Sequence, residues 1–269
     1  MRNMDKLLCI ITGGEHNGTT YFENIIYSHP EVFGGFETGI LLDENFNKCK
    51  PFCDWIYSGG PHWGLREDIK LDGKSFKEKY DLLFKYKGSG HATDHTQKLI
   101  YDSKYIVDKT PAYIRNLEFV RKNVPSEIPI LIIIKNFKGN FISKVVKRAQ
   151  PISVNIDQVK YVIDSLKYIK NSEGGKNIHL FYYDDVIEYH ENFIMKIKNI
   201  LKYKIDTNVE LSLEKYEEKL KNGSRGPAGN WKQMNHDVDE EKLIPYIDIR
   251  NEYDGLILEL KEDLKNHVL

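Results

Sequence analysis

The sequence predicts an α/β fold in which a central, mainly parallel sheet is flanked by helices on both faces. Three observations predict it. Short β-branched and apolar runs recur along the chain, amphipathic stretches separate them, and the first run ends in a glycine loop that opens directly into a helical pattern. Leu7 to Thr12, Tyr105 to Val107, Ile130 to Ile134 and Ile178 to Tyr183 read as strands, and Val32-Phe33 as a further strand-like segment. The run Ile130 to Ile134 has no polar residue, the pattern of a strand buried on both faces. Helical patterns cover Thr19 to Ser28, Ser75 to Tyr86, Pro111 to Asn123, Asn140 to Ala149, Ile156 to Asn171 and Asp185 to Lys202, with one or two more across Asp239 to Asn266. Such alternation implies βαβ units, and ligands of these sheets bind at the carboxyl ends of the strands.

With 269 residues, 41% of them hydrophobic and 12% aromatic, the chain has enough apolar material for a sizeable core, and a single domain over residues 1–269 is expected. Lys plus Arg number 39 against 40 Asp plus Glu, so no global field draws nucleic acid or anionic membranes, and any anion site is local. Cys9, Cys49 and Cys53 are an odd number with no repeated C-x-x-C, which argues against a disulfide framework and for a reducing compartment. Cys49 and Cys53 with His62 lack a fourth ligand at finger-like spacing, so no metal is expected. Met1 leads almost directly into Leu7 to Ile11, too short for a signal segment, and Ile130 to Ile134 is far below the roughly 20 residues of a membrane span. A cytoplasmic location is the resulting expectation. Two stretches read as long loops, Asp43 to Leu71 and Thr207 to His236.

Gly13-Gly14-Glu15-His16-Asn17-Gly18-Thr19-Thr20 joins the first strand to the first helix. A loop of this kind turns successive backbone N–H groups toward the positive end of a helix dipole, where a phosphate sits well; Gly14 and Gly18 permit close approach, and Asn17, Thr19 and Thr20 add side-chain hydrogen-bonding groups. The spacing is that of a Walker A loop, but Thr19 stands where its Lys would be, which weakens an ATPase or GTPase reading. A plain turn with Thr19 capping the helix is the alternative. Further on, Lys135-Asn136-Phe137 at a strand end is followed by Ser143, a cation and a hydroxyl that can converge on one anion. The alternative there is an exposed Lys and a serine near a helix start. Near the C-terminus, Ser224-Arg225-Gly226-Pro227-Ala228-Gly229-Asn230-Trp231-Lys232 is either a loop that closes on a ligand or a surface turn pinned by Trp231.

In this order the motifs resemble those of the sulfotransferases that use 3′-phosphoadenosine 5′-phosphosulfate (PAPS). The Gly-Thr-Thr loop, then His29-Pro30-Glu31-Val32 and Glu37, resemble the Golgi-type and tyrosylprotein branch, and Asp108-Lys109-Thr110-Pro111-Ala112-Tyr113 resembles a hexapeptide of the heparan sulfate enzymes. Lys135 to Ser143 is similar to the family's Arg-Asp/Asn-Pro…Ser signature for the 3′-phosphate, with Lys135 in place of Arg, which implies weaker binding or a changed donor. Arg225, Gly226 and Gly229 match the loop that folds over the 3′-phosphate and adenine. Phe181 to Val186 resembles a late-strand segment read as mostly structural.

The resemblance implies a P-loop-like nucleotide-binding sulfotransferase fold, PAPS as donor and adenosine 3′,5′-bisphosphate (PAP) as product. It implies Glu37 as general base and Lys109 orienting the acceptor and sulfuryl oxygens, against the plain readings of a solvated loop carboxylate and a surface Lys. His16 occupies the position of the family's loop cation, so it either assists the leaving group as an imidazolium or marks a weakened enzyme. His91 and His95 are further candidates for the base. The partner is a hydroxyl or amine acceptor of a glycan, lipid or small molecule, and Trp55, Tyr57 and Trp63 would stack on a sugar unless they belong to the core. Two other readings stand beside it: a small-molecule kinase using the Gly13 to Thr20 loop, and a family member that binds a nucleotide without transferring anything. Neither acceptor nor oligomeric state follows from the sequence.

Overall fold

A computed structural model of the chain describes residues 6–36, 39, 41–42, 74–75, 77–78, 104–147, 149–171, 177–212, 214–215 and 240–266. Five parallel strands form one sheet: β1 (Leu7–Gly13), β2 (Val32–Phe36), β3 (Tyr105–Lys109), β4 (Ile130–Ile134) and β5 (Ile178–Tyr182), in the order β2-β3-β1-β4-β5. The predicted strands are all present. In β4 every residue from Ile130 to Ile134 is 0% exposed. Each of these side chains contributes about 1.5–3 kcal/mol of gross burial energy, against which the entropy of ordering the strand is set.

Period-two alternation divides the core. Ile130, Ile132 and Ile134 of β4, with Leu180 and Tyr182 of β5, meet α2 (Leu117–Asn123), α3 (Phe137–Phe141), α4 (Ile152–Asn171) and α7 (Ile247–Asn266). Leu131 and Ile133, with Phe181, meet α1 (Thr19–Tyr27), α5 (Tyr183–Glu188) and α6 (His190–Leu201). In β1 the register against β3 shifts between Leu7 and Cys9, and Leu8 and Cys9 lie in the same cluster on the α1 face. Burial raises the Cys9 thiol far above its ordinary range.

Several helices differ in detail from the sequence expectation. The Pro111 to Asn123 segment begins as a 3-10 turn, Pro111–Asn116, with Pro111 in its first turn where a missing N–H costs nothing. The segment expected as one helix from Asn140 is α3, capped by the Asn136 side chain accepting from the Gly139 N–H at 2.7 Å, and then a π-helical turn, Ile142–Val146. α4 starts at Ile152 rather than Ile156. The Asp185 to Lys202 segment breaks at Tyr189 into α5 and α6. At the C-terminal end a 3-10 turn, Glu240–Tyr246, precedes α7. Of Ser75 to Tyr86 only the start is described, where Ser75 and Glu78 exchange hydrogen bonds as a capping box. Among the described residues no helix is long and apolar enough to cross a membrane.

The topology locates a site. β1 and β4 lie side by side, yet β1 leaves through α1 on one face toward β2, while β4 leaves through α3 and α4 on the other face toward β5. A crevice opens where neighbouring connections part in this way, at the carboxyl ends of the strands.

Candidate active site

Residues 14–18 bridge β1 and α1 at that crevice. Gly13 and Gly18 have φ of +150° and +101°, and His16, at φ 63°, is in the left-handed region as well. A Cβ on Gly13 would stand 2.0 Å from the Ile133 carbonyl oxygen, and one on Gly18 would stand 2.7 Å from the Tyr183 ring. Glycine at these two positions is therefore a packing requirement, set by close approach to β4 and to α5. A non-glycine residue at positive φ costs about 1–3 kcal/mol unless the surroundings hold it, and such strain gathers at functional sites.

The turn with Thr19 as helix cap is not what forms. Gly18 is the N-cap of α1, Thr19 is the first helical residue, and no side chain caps the helix end. The backbone N–H groups of the first turn thus remain for an incoming acceptor, and the helix dipole adds partial positive charge there. Thr19 is buried and Thr20 exposed.

Beneath the loop Asn17 is fully buried, its amide oxygen accepting from Asn140 of α3 at 3.3 Å. Asn17 Nδ2 and Asn140 Oδ1 are buried without hydrogen-bond partners. Gly14 makes room for this amide, since a Cβ there would fall 2.2 Å from Asn17 Nδ2. A buried orphan donor and acceptor cost about 1–3 kcal/mol each, an unusual debt for a surface turn and an ordinary one for a binding site.

The strand-end cation and the distant serine do converge. Lys135 Nζ donates to Ser143 Oγ at 3.0 Å and to the His16 carbonyl at 3.1 Å, and it lies 4.2 Å from the centroid of the Tyr183 ring. α7 holds the exit of β4 from the far side: Tyr253 OH donates to the Lys135 carbonyl at 2.9 Å, and Asp254 accepts from the Phe137 N–H at 2.8 Å. Lys135, Ser143, His16 and Gly18 are therefore one cluster, and Tyr183 is its wall. Sequence reading left Tyr183 out as part of a structural segment. The usable signal was its place, directly after the strand that neighbours β4.

Lys109 and Asp108 end β3. Lys109 is 4% exposed, so it is no surface Lys, and its Nζ is 4.0 Å from the buried Glu23 carboxylate of α1. Asp108 is turned to the other face, where Thr110 Oγ1 donates at 2.8 Å and Tyr113 OH at 2.9 Å. On the outer side of the loop, Glu15 pairs with Arg115 and accepts from Gln158 Nε2 at 3.0 Å, while Lys144 Nζ donates to Gln158 Oε1 at 2.6 Å. None of these four residues was singled out from the sequence. Among the described residues no cluster of His, Cys, Asp and Glu is disposed to hold a metal ion.

Glu37, His91, His95, Cys49, Cys53, His62, the aromatics Trp55, Tyr57 and Trp63, and the loop residues Arg225, Gly226 and Gly229 lie outside the described residues.

No protein-family model and no curated protein match the chain. Among solved structures it is similar to a sulfotransferase domain from the curacin biosynthetic pathway, at 12% identity over 95% of this chain and 97% of that one, with a TM-score of 0.46. It is similar also to the sulfotransferase domain of the Synechococcus PCC 7002 olefin synthase, at 10% identity, 92% and 94% coverage and a TM-score of 0.45. A third is a sulfotransferase from Alicyclobacillus acidocaldarius, at 11% identity, 93% and 95% coverage and a TM-score of 0.42. At these scores the likenesses carry no weight for function, which rests on the geometry of the site.

Proposed function

We propose that the chain is a sulfotransferase that moves a sulfuryl group from PAPS to a hydroxyl or amine of a glycan, lipid or small-molecule acceptor and leaves PAP. The observation that carries this reading is the Lys135–Ser143 pair, 3.0 Å apart and fastened to the His16 carbonyl. An anion held by that pair lies beside the loop that feeds the N-terminus of α1, not within it. A nucleotide with phosphates on both its 3′ and 5′ positions carries two anions separated by a ribose and suits this division. A polyphosphate chain suits one continuous loop instead. The buried orphan amide groups of Asn17 and Asn140 and the order of the motifs along the sequence support the same reading.

In this reading the backbone of Gly14 to Gly18, with Thr19 and Thr20, holds the 5′-phosphosulfate, and Lys135 with Ser143 holds the 3′-phosphate. Arg225, Gly226 and Gly229 close over the nucleotide and exclude water. The acceptor gives its proton to Glu37 as its oxygen or nitrogen bonds to sulfur. The bond from sulfur to the bridging oxygen breaks, and its electron pair leaves on the 5′-phosphate of PAP, where the His16 imidazolium donates a hydrogen bond or the proton. Lys109 orients the sulfuryl and acceptor oxygens while Glu23 partly offsets its charge. The scheme calls for no metal.

A kinase needs a phosphate-reaching Lys in the loop and a carboxylate to hold Mg²⁺. Thr19 stands in the Lys position, and Asp108, the strand-end carboxylate beside β1, already accepts from two hydroxyls. Isothermal titration with PAP, ATP and ADP tests the proposal. PAP should bind in preference to both, and Lys135→Ala with Ser143→Ala should weaken it about a hundredfold, the size of two lost hydrogen bonds to a charged ligand. Equal or tighter binding of ATP returns the kinase reading, and PAP bound without turnover across an acceptor screen returns the non-transferring one. Absence of nucleotide binding overturns the proposal.

A further inference from the structure

Ser143 and Lys144 are consecutive residues of the π-helical turn, and both are buried, at 7% and 1% exposure. In an α-helix consecutive side chains diverge by about 100°. A π turn places more residues in each turn and narrows that step. Both side chains thereby serve the same loop. Ser143 accepts from Lys135, which donates to the His16 carbonyl, while Lys144 donates to Gln158 of α4, which donates to Glu15. Two adjacent residues of one turn so hold two adjacent residues of the loop.

We propose that Lys144 and Gln158 are positioning residues that set the phosphate loop through Glu15, next to its strained residue His16. The amide of Gln158 has only one workable orientation. Its oxygen accepts from the ammonium and its NH₂ donates to the carboxylate; reversed, NH₂ would face NH₃⁺ and carbonyl oxygen would face carboxylate. Arg115 completes the hold by pairing with the other oxygen of Glu15. An isolated surface pair of this kind orders little. Here the far end of the relay is a buried ammonium in the wall of the site, so Glu15 is tied to the element that also carries Ser143. Burial lowers the Lys144 pKa to about 8, with Glu15 acting to raise it and Arg115 to lower it. The relay is therefore anchored on a group that the fold keeps desolvated.

Amide hydrogen exchange of the nucleotide-free protein tests this directly. Lys144→Met with Gln158→Leu removes both polar ends together and strands no buried charge, so the fold should persist, as unchanged protection of residues 130–134 would verify. Protection of residues 14–18 should fall about tenfold, the equivalent of one hydrogen bond to a charged group. Gln158→Glu supplies the control that a merely structural role would not move. Ionised, its carboxylate repels Glu15 and loosens the loop; protonated at lower pH, it reproduces the amide's donor and acceptor pattern, and the protection factors of residues 14–18 should recover. Wild-type protection at 14–18 in the folded double variant, or a Gln158→Glu loop indifferent to pH, overturns the proposal. PAP titration of the double variant, expected to be about tenfold weaker, is the one arm that rests on the proposed function. A wild-type protein that ignores PAP defeats that function and leaves the exchange result to decide the relay.

Discussion

Two strand ends lie side by side in this sheet and treat their polar groups in opposite ways. At the end of β3 both oxygens of the Asp108 carboxylate accept, one from Thr110 and the other from Tyr113. At the end of β1 and β4 the loop also makes internal bonds, yet it leaves Asn17 Nδ2 and Asn140 Oδ1 buried without partners, leaves α1 uncapped and holds His16 at positive φ. Both corners carry buried polar residues, so polarity alone does not mark a site. Unmet hydrogen-bonding capacity, kept in place by groups that are themselves satisfied, does.

The contrast can be broken most forcefully at Gly13. Gly13→Ala puts a Cβ against the Ile133 carbonyl oxygen and should cost about 3–5 kcal/mol in chemical unfolding, because β1 and β4 must part to admit it. A cost within the range of ordinary surface substitutions would show that the corner yields.

The next largest effect is a pH dependence. Lys144 releases its proton at about pH 8 in the folded chain and near 10.5 in the unfolded one. Between those values the unfolded state binds more protons, so stability rises with pH, by on the order of 3 kcal/mol across the window, and the burial penalty is fully present below it. Denaturant titrations of wild type and Lys144→Met at pH 7.5 and 10 should differ by most of that increment. Parallel curves would mean that the ammonium is better solvated than its surroundings imply.

Asp108→Asn sharpens the comparison from the self-satisfied side. It should cost about 1.5–3 kcal/mol of stability, since the amide puts an NH₂ where one of the two hydroxyls now donates to a carboxylate oxygen, and it should leave the PAP dissociation constant unchanged. A loss of PAP affinity with little loss of stability would move Asp108 into the site.

The strands were legible because the sheet is covered on both faces, and a strand so placed has to be apolar throughout, as Ile130 to Ile134 is. The second strand was legible only at Val32-Phe33, since Gly34 and Gly35 carry no strand preference. The break at Tyr189 was hidden. Val186, Phe193, Ile197 and Leu201 are buried at spacings that one continuous helix would also give. The π turn left no mark in the sequence, and Lys144 reads there as one more cation on an amphipathic stretch. In the candidate site, the Lys135 to Ser143 interval could be read because strand and helix geometry fix where each end lies. The Glu15–Gln158–Lys144 relay could not, because its members come from three elements whose mutual packing no local pattern encodes.

The strand order carries a consequence for how the chain is made. β1 leaves the ribosome well before either of its neighbours, since its partner across Leu7↔Ile106 follows 99 residues later. At synthesis rates of about 5–20 residues per second, the segment LLCIITG waits roughly 5–20 s for the first strand that can cover it. It has no charge and no proline, the composition of a segment that associates with copies of itself when left uncovered. Lys6 before it and Glu15 shortly after it flank that uncharged run with charge, the arrangement that limits such association, and Glu15 is the carboxylate that the folded chain ties to Gln158 and Arg115.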